Sequence, residues 1–254
     1  MIEELSYQSL AILGAAGVLA TVINVMAGGG GMIVLPALMA LGLPADVANG
    51  TYRLGVVTQS VAGTAALRRE GKLDTGAIVP ILIPTVLGAI VGALLATWVP
   101  REVLKPIMLL TMVVMAALIA FRKKTLIPIE GPPLTPQDAP RSYAGLFLAG
   151  VYGGFIQAGV GFLLLGVIVG TLRHDLIAGN ALKLVVTLAF GTVSLGIFVW
   201  AGLVSWTPAI VLAAASILGA RLGVRLMLKV PIAGLRWFVF LCVAATCIAA
   251  WLRS

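Results

Sequence analysis

Residues 26–36 read MAGGGGMIVLP, and residues 156–166 read IQAGVGFLLLG. Both stretches interrupt long apolar runs. Glycine in a helix costs about 1 kcal/mol relative to alanine. The four consecutive glycines Gly28 to Gly31 therefore cannot continue a stable helix. Each interruption leads into a short apolar stretch, 32–43 and 162–172. At about 1.5 Å per residue, neither crosses a hydrocarbon layer of about 30 Å. Irregular backbone at membrane depth must be buried in protein or line a polar cavity. The expectation is a pair of half-helices or re-entrant hairpins whose glycine tips lie near the midplane.

The surrounding composition says why a membrane is the right frame. Of 254 residues, 61% are apolar and 10% charged. Mean hydropathy is +1.12. A soluble globular domain carries about 25% charged residues. A soluble enzyme, a disordered chain and a nucleic-acid-binding domain are excluded on that ground, and an all-α polytopic membrane protein is what remains. Apolar segments run at 9–27, 31–43, 47–67, 75–97 and 103–121, and resume at 143–158, 160–172, 176–199, 207–228 and 232–252. Between the sets lies RKKTLIPIEGPPLTPQDAPR, residues 122–141, with five of the thirteen prolines. It reads as an exposed cytoplasmic linker. The organisation is a first transmembrane repeat over 1–121, the linker, and a second repeat over 142–254.

Residue pairs support the duplication. A shift of 130 places Gly29 on Gly159, Gly31 on Gly161, Ala48 on Ala178 and Arg53 on Lys183. A shift of 131 places Gly88 on Gly219, Gly92 on Gly223 and Pro100 on Pro231. Loop charge then orients the halves. The loop RREGKLD, 68–74, is basic, whereas its counterpart AGLVSW, 201–206, carries no charge. Arg225 and Lys229 end the next segment of the second half. Placing both termini outside puts these residues, Arg122, Lys123 and Lys124 on the cytoplasmic side, and leaves Arg101, Lys105 and Arg253 outside. Loops that change sides between halves are the mark of inverted-topology repeats of about five segments each.

The chemistry of the breaks follows from bare backbone. A half-helix leaves its first N–H groups unpaired and carries about half a positive charge at that end. Glycine lets a ligand approach closely. Two such ends facing each other make an anion site. The expected site takes Gly29, Gly30, Gly31 and Met32 from the first break, and Gln157, Gly159, Gly161 and Phe162 from the second. The next segments, ANGTYRLG and AGNALKLV, add Asn49, Thr51 and Arg53, then Asn180 and Lys183. Arg53 and Lys183 lie inside apolar runs, where an ionisable group is by default functional. The competing reading is snorkelling to the nearest interface. Asn24 and Gln59 are further polar candidates.

Other features read as structural. Gly88 and Gly92, and Gly219 and Gly223, are small-xxx-small motifs expected to pack helices of one molecule. A homodimer stays open as a partner, beside the bilayer and a small anion. Cys242 and Cys247 read as small buried residues rather than a disulfide or metal pair. His174, in the loop RHD, reads as solvated. Trp98, Trp200, Trp206 and Trp251 fall at segment ends, as an interfacial belt requires. The start, MIEELSYQSL, lacks the positive region of a cleaved signal peptide. Asp46, Glu70, Asp74 and Asp175 fall in turns, which weakens a carboxylate proton relay. No cofactor or metal is expected, and no constellation for intramembrane catalysis is present, so an enzyme or assembly factor ranks below a carrier or an anion channel.

The stretch AGGGGMIVLPALMALGLPADVANGTYRLG, with the following RREGKLD and LGAIVGALLA, resembles the first repeat of the sulfite exporter TauE/SafE family. QAGVGFLLL, LIAGNALKL, AGLVSW and LGARLGVRL resemble its second repeat. Ala181 stands where that family usually has Thr, and Val160 interrupts the glycine cluster. The resemblance implies a secondary carrier in the bacterial inner membrane for sulfite, sulfoacetate or a similar small sulfur-containing anion. Members of that family move such anions outward or inward. The expectation for this chain is alternating access of the two halves about a midplane site, with export favoured because an inside-negative potential helps an anion leave by about 2.3 kcal/mol per charge per 100 mV.

Overall fold

A computed structural model describes residues 6–71, 73, 75–121, 131–229, 241, 243, 245–248, 250 and 251. Among these the chain is all-helical. The first half forms α1 (Tyr7–Ala27), α2 (Gly31–Ala40), α3 (Ala45–Arg69), α4 (Ile78–Trp98) and α5 (Arg101–Phe121). The second half forms α6 (Arg141–Phe155), α7 (Val160–Ile168), α8 (Leu176–Trp200) and α9 (Trp206–Met227). The tenth expected segment is described in part: residues 241, 243, 245–248, 250 and 251 are helical. Val243, Cys247 and Ala250 of that segment are buried against the main core, so Cys247 is the small buried residue expected. Cys242, Pro231, Arg253, Lys72, Asp74 and the linker stretch 122–130 lie outside the described residues.

Among the described residues five helices, α1, α4, α5, α8 and α9, are long and apolar enough to cross a membrane. α2 and α7 have 10 and 9 residues, about 15 and 14 Å of rise, and cannot. α3 has 25 residues, ample length, but one face carries buried Asn49, Arg53, Gln59 and Ser60. It is a polar helix wrapped by apolar ones.

Helix ends follow local chemistry. Gly28 adopts the left-handed conformation (φ 82°) and stops α1. Asp175 starts α8, its carboxylate accepting the Ile177 and Ala178 N–H groups at 2.8 and 3.0 Å. Asp46, in the first turn of α3, accepts Arg101 Nε at 2.7 Å and ties α3 to α5.

The halves are interleaved. α4 packs along α6, and α1 along α9; α3 packs on α9 and α8, and α8 on α4. Exchanging the halves by the sequence correspondence (α1 with α6, α3 with α8, α4 with α9) maps these pairings onto one another. The small-xxx-small motifs make the two long seams. A Cβ on Gly88 or Gly92 would collide with the Phe147 or Val151 carbonyl oxygen of α6. Gly150 and Gly154 press back on the Thr85 and Ala89 carbonyls. In the other seam a Cβ on Gly219 would stand 2.6 Å from the Val18 oxygen of α1. These motifs join helices of one molecule, as expected. Trp98, Trp200 and Trp206 are exposed at helix ends, and Trp251 is exposed as well.

One loop expectation is corrected. His174 is buried, not solvated. Arg173 takes a positive φ of 60°, and the His174 amide donates to the Ile168 carbonyl at 3.2 Å, which tucks the loop under the end of α7. The described end of the linker, 131–141, is mostly exposed and is fastened at one point. Leu134 N–H donates to the Leu172 carbonyl at 2.8 Å, and Pro136 is buried.

Candidate anion-binding site

The two chain breaks meet. A Cβ on Gly28 would stand 2.5 Å from the Gly161 carbonyl carbon and the Phe162 nitrogen. A Cβ on Gly31 would reach Ala158 at 3.1 Å, and one on Gly159 would reach Met32 Sδ at 3.3 Å. Backbone rests on backbone here, which only glycine permits. Gln157 and Gly159 take positive φ, 69° and 78°, to turn the chain from α6 into α7. Tyr152 braces that turn by donating its hydroxyl to the Ala158 carbonyl at 2.7 Å.

Each break exposes one helix end of each polarity: carbonyls from α1 and α6, amides at the start of α2 and α7. The chain answers the carbonyl ends with cations. Arg53, on α3, is 0% exposed. Its Nη1 donates to the Gly153 carbonyl and to Gln157 Oε1, both at 3.3 Å. Its Nη2 donates to the Gly154 carbonyl and to Asn49 Oδ1. Asn49 Nδ2 donates to the Phe155 carbonyl at 2.6 Å. The guanidinium lies 4.2 Å from the Phe198 ring centroid, a favourable cation–π distance. Arg53 and Asn49 thus cap the last turn of α6, where a positive charge suits the helix dipole.

Lys183, on α8, does the same for α1. It is 2% exposed. Its Nζ donates to the Asn24 and Val25 carbonyls at 3.0 and 3.1 Å and to Asn180 Oδ1 at 2.6 Å. Asn180 Nδ2 returns to its own helix, donating to Leu176. Neither cation snorkels. Each half supplies the charge that closes the broken helix of the other.

The amide ends receive no such answer. Neither α2 nor α7 has a side-chain cap or an acidic residue in its first turn. Met32 and Phe162 N–H groups make tight turns onto Gly29 and Gly159. The Gly31, Val160 and Gly161 amides make no protein hydrogen bond among the described residues. Beside the start of α7 lies a small cavity with about 10 Å³ of room, enough for roughly one water molecule. Its polar lining is Asn24, Gln157, Lys183, Gln59 and Thr187, with Tyr52 beside them. Val56, Val160 and Leu184 supply the apolar part, and Gly161 the backbone. Gln59 lies 14 residues into the 25-residue α3, and Thr187 lies 11 into the 25-residue α8. The cavity therefore sits near the middle of both helices.

Of the residues expected from sequence, Gln157, Gly161 and Lys183 line this cavity, as do the further polar candidates Asn24 and Gln59. Asn180 stands behind Lys183 as its acceptor. Arg53 and Asn49 face α6 instead. Thr51 accepts the Ser205 N–H at 2.9 Å and holds the start of α9. Gly30 lies against the Ala20 carbonyl of α1. Met32, Gly159 and Phe162 belong to the buried contact between the breaks. Sequence reasoning passed over Tyr52, Val56, Leu184 and Thr187. Helical spacing was the available signal: Tyr52, Val56 and Gln59 share one face of α3, and Lys183 and Thr187 one face of α8.

A multi-pass membrane protein with broken helices meeting at an interior polar cavity is built like a transporter. The family model for sulfite exporter TauE/SafE matches residues 13–250. The chain belongs to that family. It is 29% identical over 224 residues to the probable membrane transporter protein ORF9 of Sinorhizobium sp, covering 88% of this chain and 85% of that one. A probable membrane transporter protein of Haemophilus influenzae is 29% identical, covering 89% of this chain and 88% of its own length. The probable membrane transporter protein YfcA of Escherichia coli K12 is 27% identical, covering 87% and 81%. No solved structure matches the chain.

Proposed function

We propose that this transporter is a secondary carrier of a small sulfur-containing oxyanion or organosulfonate, such as sulfite or sulfoacetate, across the bacterial inner membrane. The observation that carries the reading is the asymmetry of the breaks. Their carbonyl ends are closed by Arg53 and Lys183, while the amide ends at Gly31, Val160 and Gly161 keep free donors and no acidic neighbour in the first turn. An anion is the complement of such an end. The two halves are inverted repeats that rock about the meeting point of the breaks, opening the cavity to each side in turn. Support comes from the interleaved pairings and from loop charge. Export needs no coupling ion, because an inside-negative potential favours anion exit by about 2.3 kcal/mol per charge per 100 mV.

The test is efflux from proteoliposomes loaded with sulfite or sulfoacetate. Saturable efflux that rises with a lumen-negative potential is expected. Transport that ignores the potential and requires a pH gradient overturns potential-driven export. Flux without saturation or counter-flow replaces the carrier with a channel.

A further inference from the structure

The two halves resemble each other in sequence, yet the cavity is not symmetric. It is lined from α3, α7 and α8 with Asn24 of α1, and it takes in Lys183 while Arg53 is absent from its lining. One of its donors is conspicuous. Gln59 is 1% exposed, and its Nε2 atom has no hydrogen-bond partner. A buried amide without a partner is costly. It lines the same small space as the free-amide start of α7 and the Lys183 ammonium. Neither cavity wall offers a carboxylate.

Resting on the carrier reading above, we infer that the transported oxyanion is held by Gln59 Nε2 of the first half and by Lys183 Nζ and the Val160 and Gly161 amides of the second, with Arg53 making no contact to it. Gln59 is the donor that binding satisfies. Lys183 keeps its grip on α1 through the Asn24 and Val25 carbonyls and turns to the oxyanion the third N–H that it otherwise gives to Asn180 Oδ1. Thr187, one turn beyond Lys183 on the same cavity wall, is placed to add a hydroxyl. The ligand class is an oxyanion with at least two acceptor oxygens, one for the side-chain donors and one for the α7 amides.

The test uses the full chain in detergent, with sulfite and sulfoacetate as probes and gluconate as the control anion. Binding is read by thermal shift and titration calorimetry. Gln59→Met keeps the side chain's length and removes its amide. It should weaken binding on the order of 10- to 100-fold, the usual scale for a hydrogen bond to a charged group, and leave unliganded Tm near that of the unmodified protein. If Q59M is not recovered folded, Gln59→Glu keeps the shape and reverses the donor. It should abolish binding. Either folded variant with unchanged affinity, alongside a Lys183→Met that loses it, overturns the role of Gln59 and leaves the carrier reading standing. An unmodified protein that answers neither sulfite nor sulfoacetate overturns that reading, and this inference with it.

Discussion

Arg53 and Lys183 occupy equivalent positions and perform the same act on opposite halves, but their surroundings differ. Arg53 spends its two terminal nitrogens on two α6 carbonyls, Gln157 and Asn49, and stacks on Phe198. Lys183 holds two α1 carbonyls and one asparagine, and its wall opens on the cavity. A planar guanidinium with several fixed donors suits a rigid cap, and a compact ammonium on a flexible stem suits a group with a second task. The lesson is that two positions that align between the halves can differ in use: Arg53 is wholly taken up by α6, whereas Lys183 anchors α1 and also lines the cavity.

The sharpest way to break this comparison is to remove each cation. Arg53→Met should be the most damaging change, because it leaves several buried acceptors without donors. The expected loss is about 3 kcal/mol or more, read as a large drop in Tm or failure to recover folded protein. An Arg53→Met of ordinary Tm refutes the anchoring role. Lys183→Met should cost less, roughly 2 kcal/mol, yet remove anion binding. Lys183→Arg should restore much of the stability and little of the binding, because the bulkier fork crowds the cavity.

A change at a third position bears on the frame that holds both cations in place. Gly92→Ala puts a methyl into the Val151 carbonyl of α6, and overpacking of this kind costs about 1–3 kcal/mol. Thermal unfolding should show that loss without a change in the relative anion affinities. The smallest effect belongs to Asp46→Asn. Its partner Arg101 has a side chain 57% exposed, and such ion pairs contribute about 0–1 kcal/mol. Transport rates within twofold of normal are expected, and a severe transport defect would give that pair a part in gating.

How much of this was legible beforehand depends on the kind of information. Helix positions were readable because apolar run length and glycine punctuation are local. Observed α8, Leu176–Trp200, differs by one residue at its end from the expected 176–199. The meeting of the breaks was readable because the interruption occurs twice. The use made of Arg53 was not. A cation inside an apolar run says that something negative faces it, and sequence does not say whether that is a solute or the carbonyls of a helix some 100 residues away. Thr51 misled for a similar reason: its acceptor role toward Ser205 is a contact across 154 residues. His174 was misjudged because loop polarity suggests solvent, whereas the turn at Arg173 folds it inward.

Reciprocal capping also bears on the order in which the chain is made. α1 leaves the ribosome early, but the lysine that closes its last turn follows 159 residues after Asn24. At about 5–20 residues per second, the wait is on the order of ten to thirty seconds. During translation the first half therefore sits in the bilayer with an open end, and only the arrival of α8 completes it.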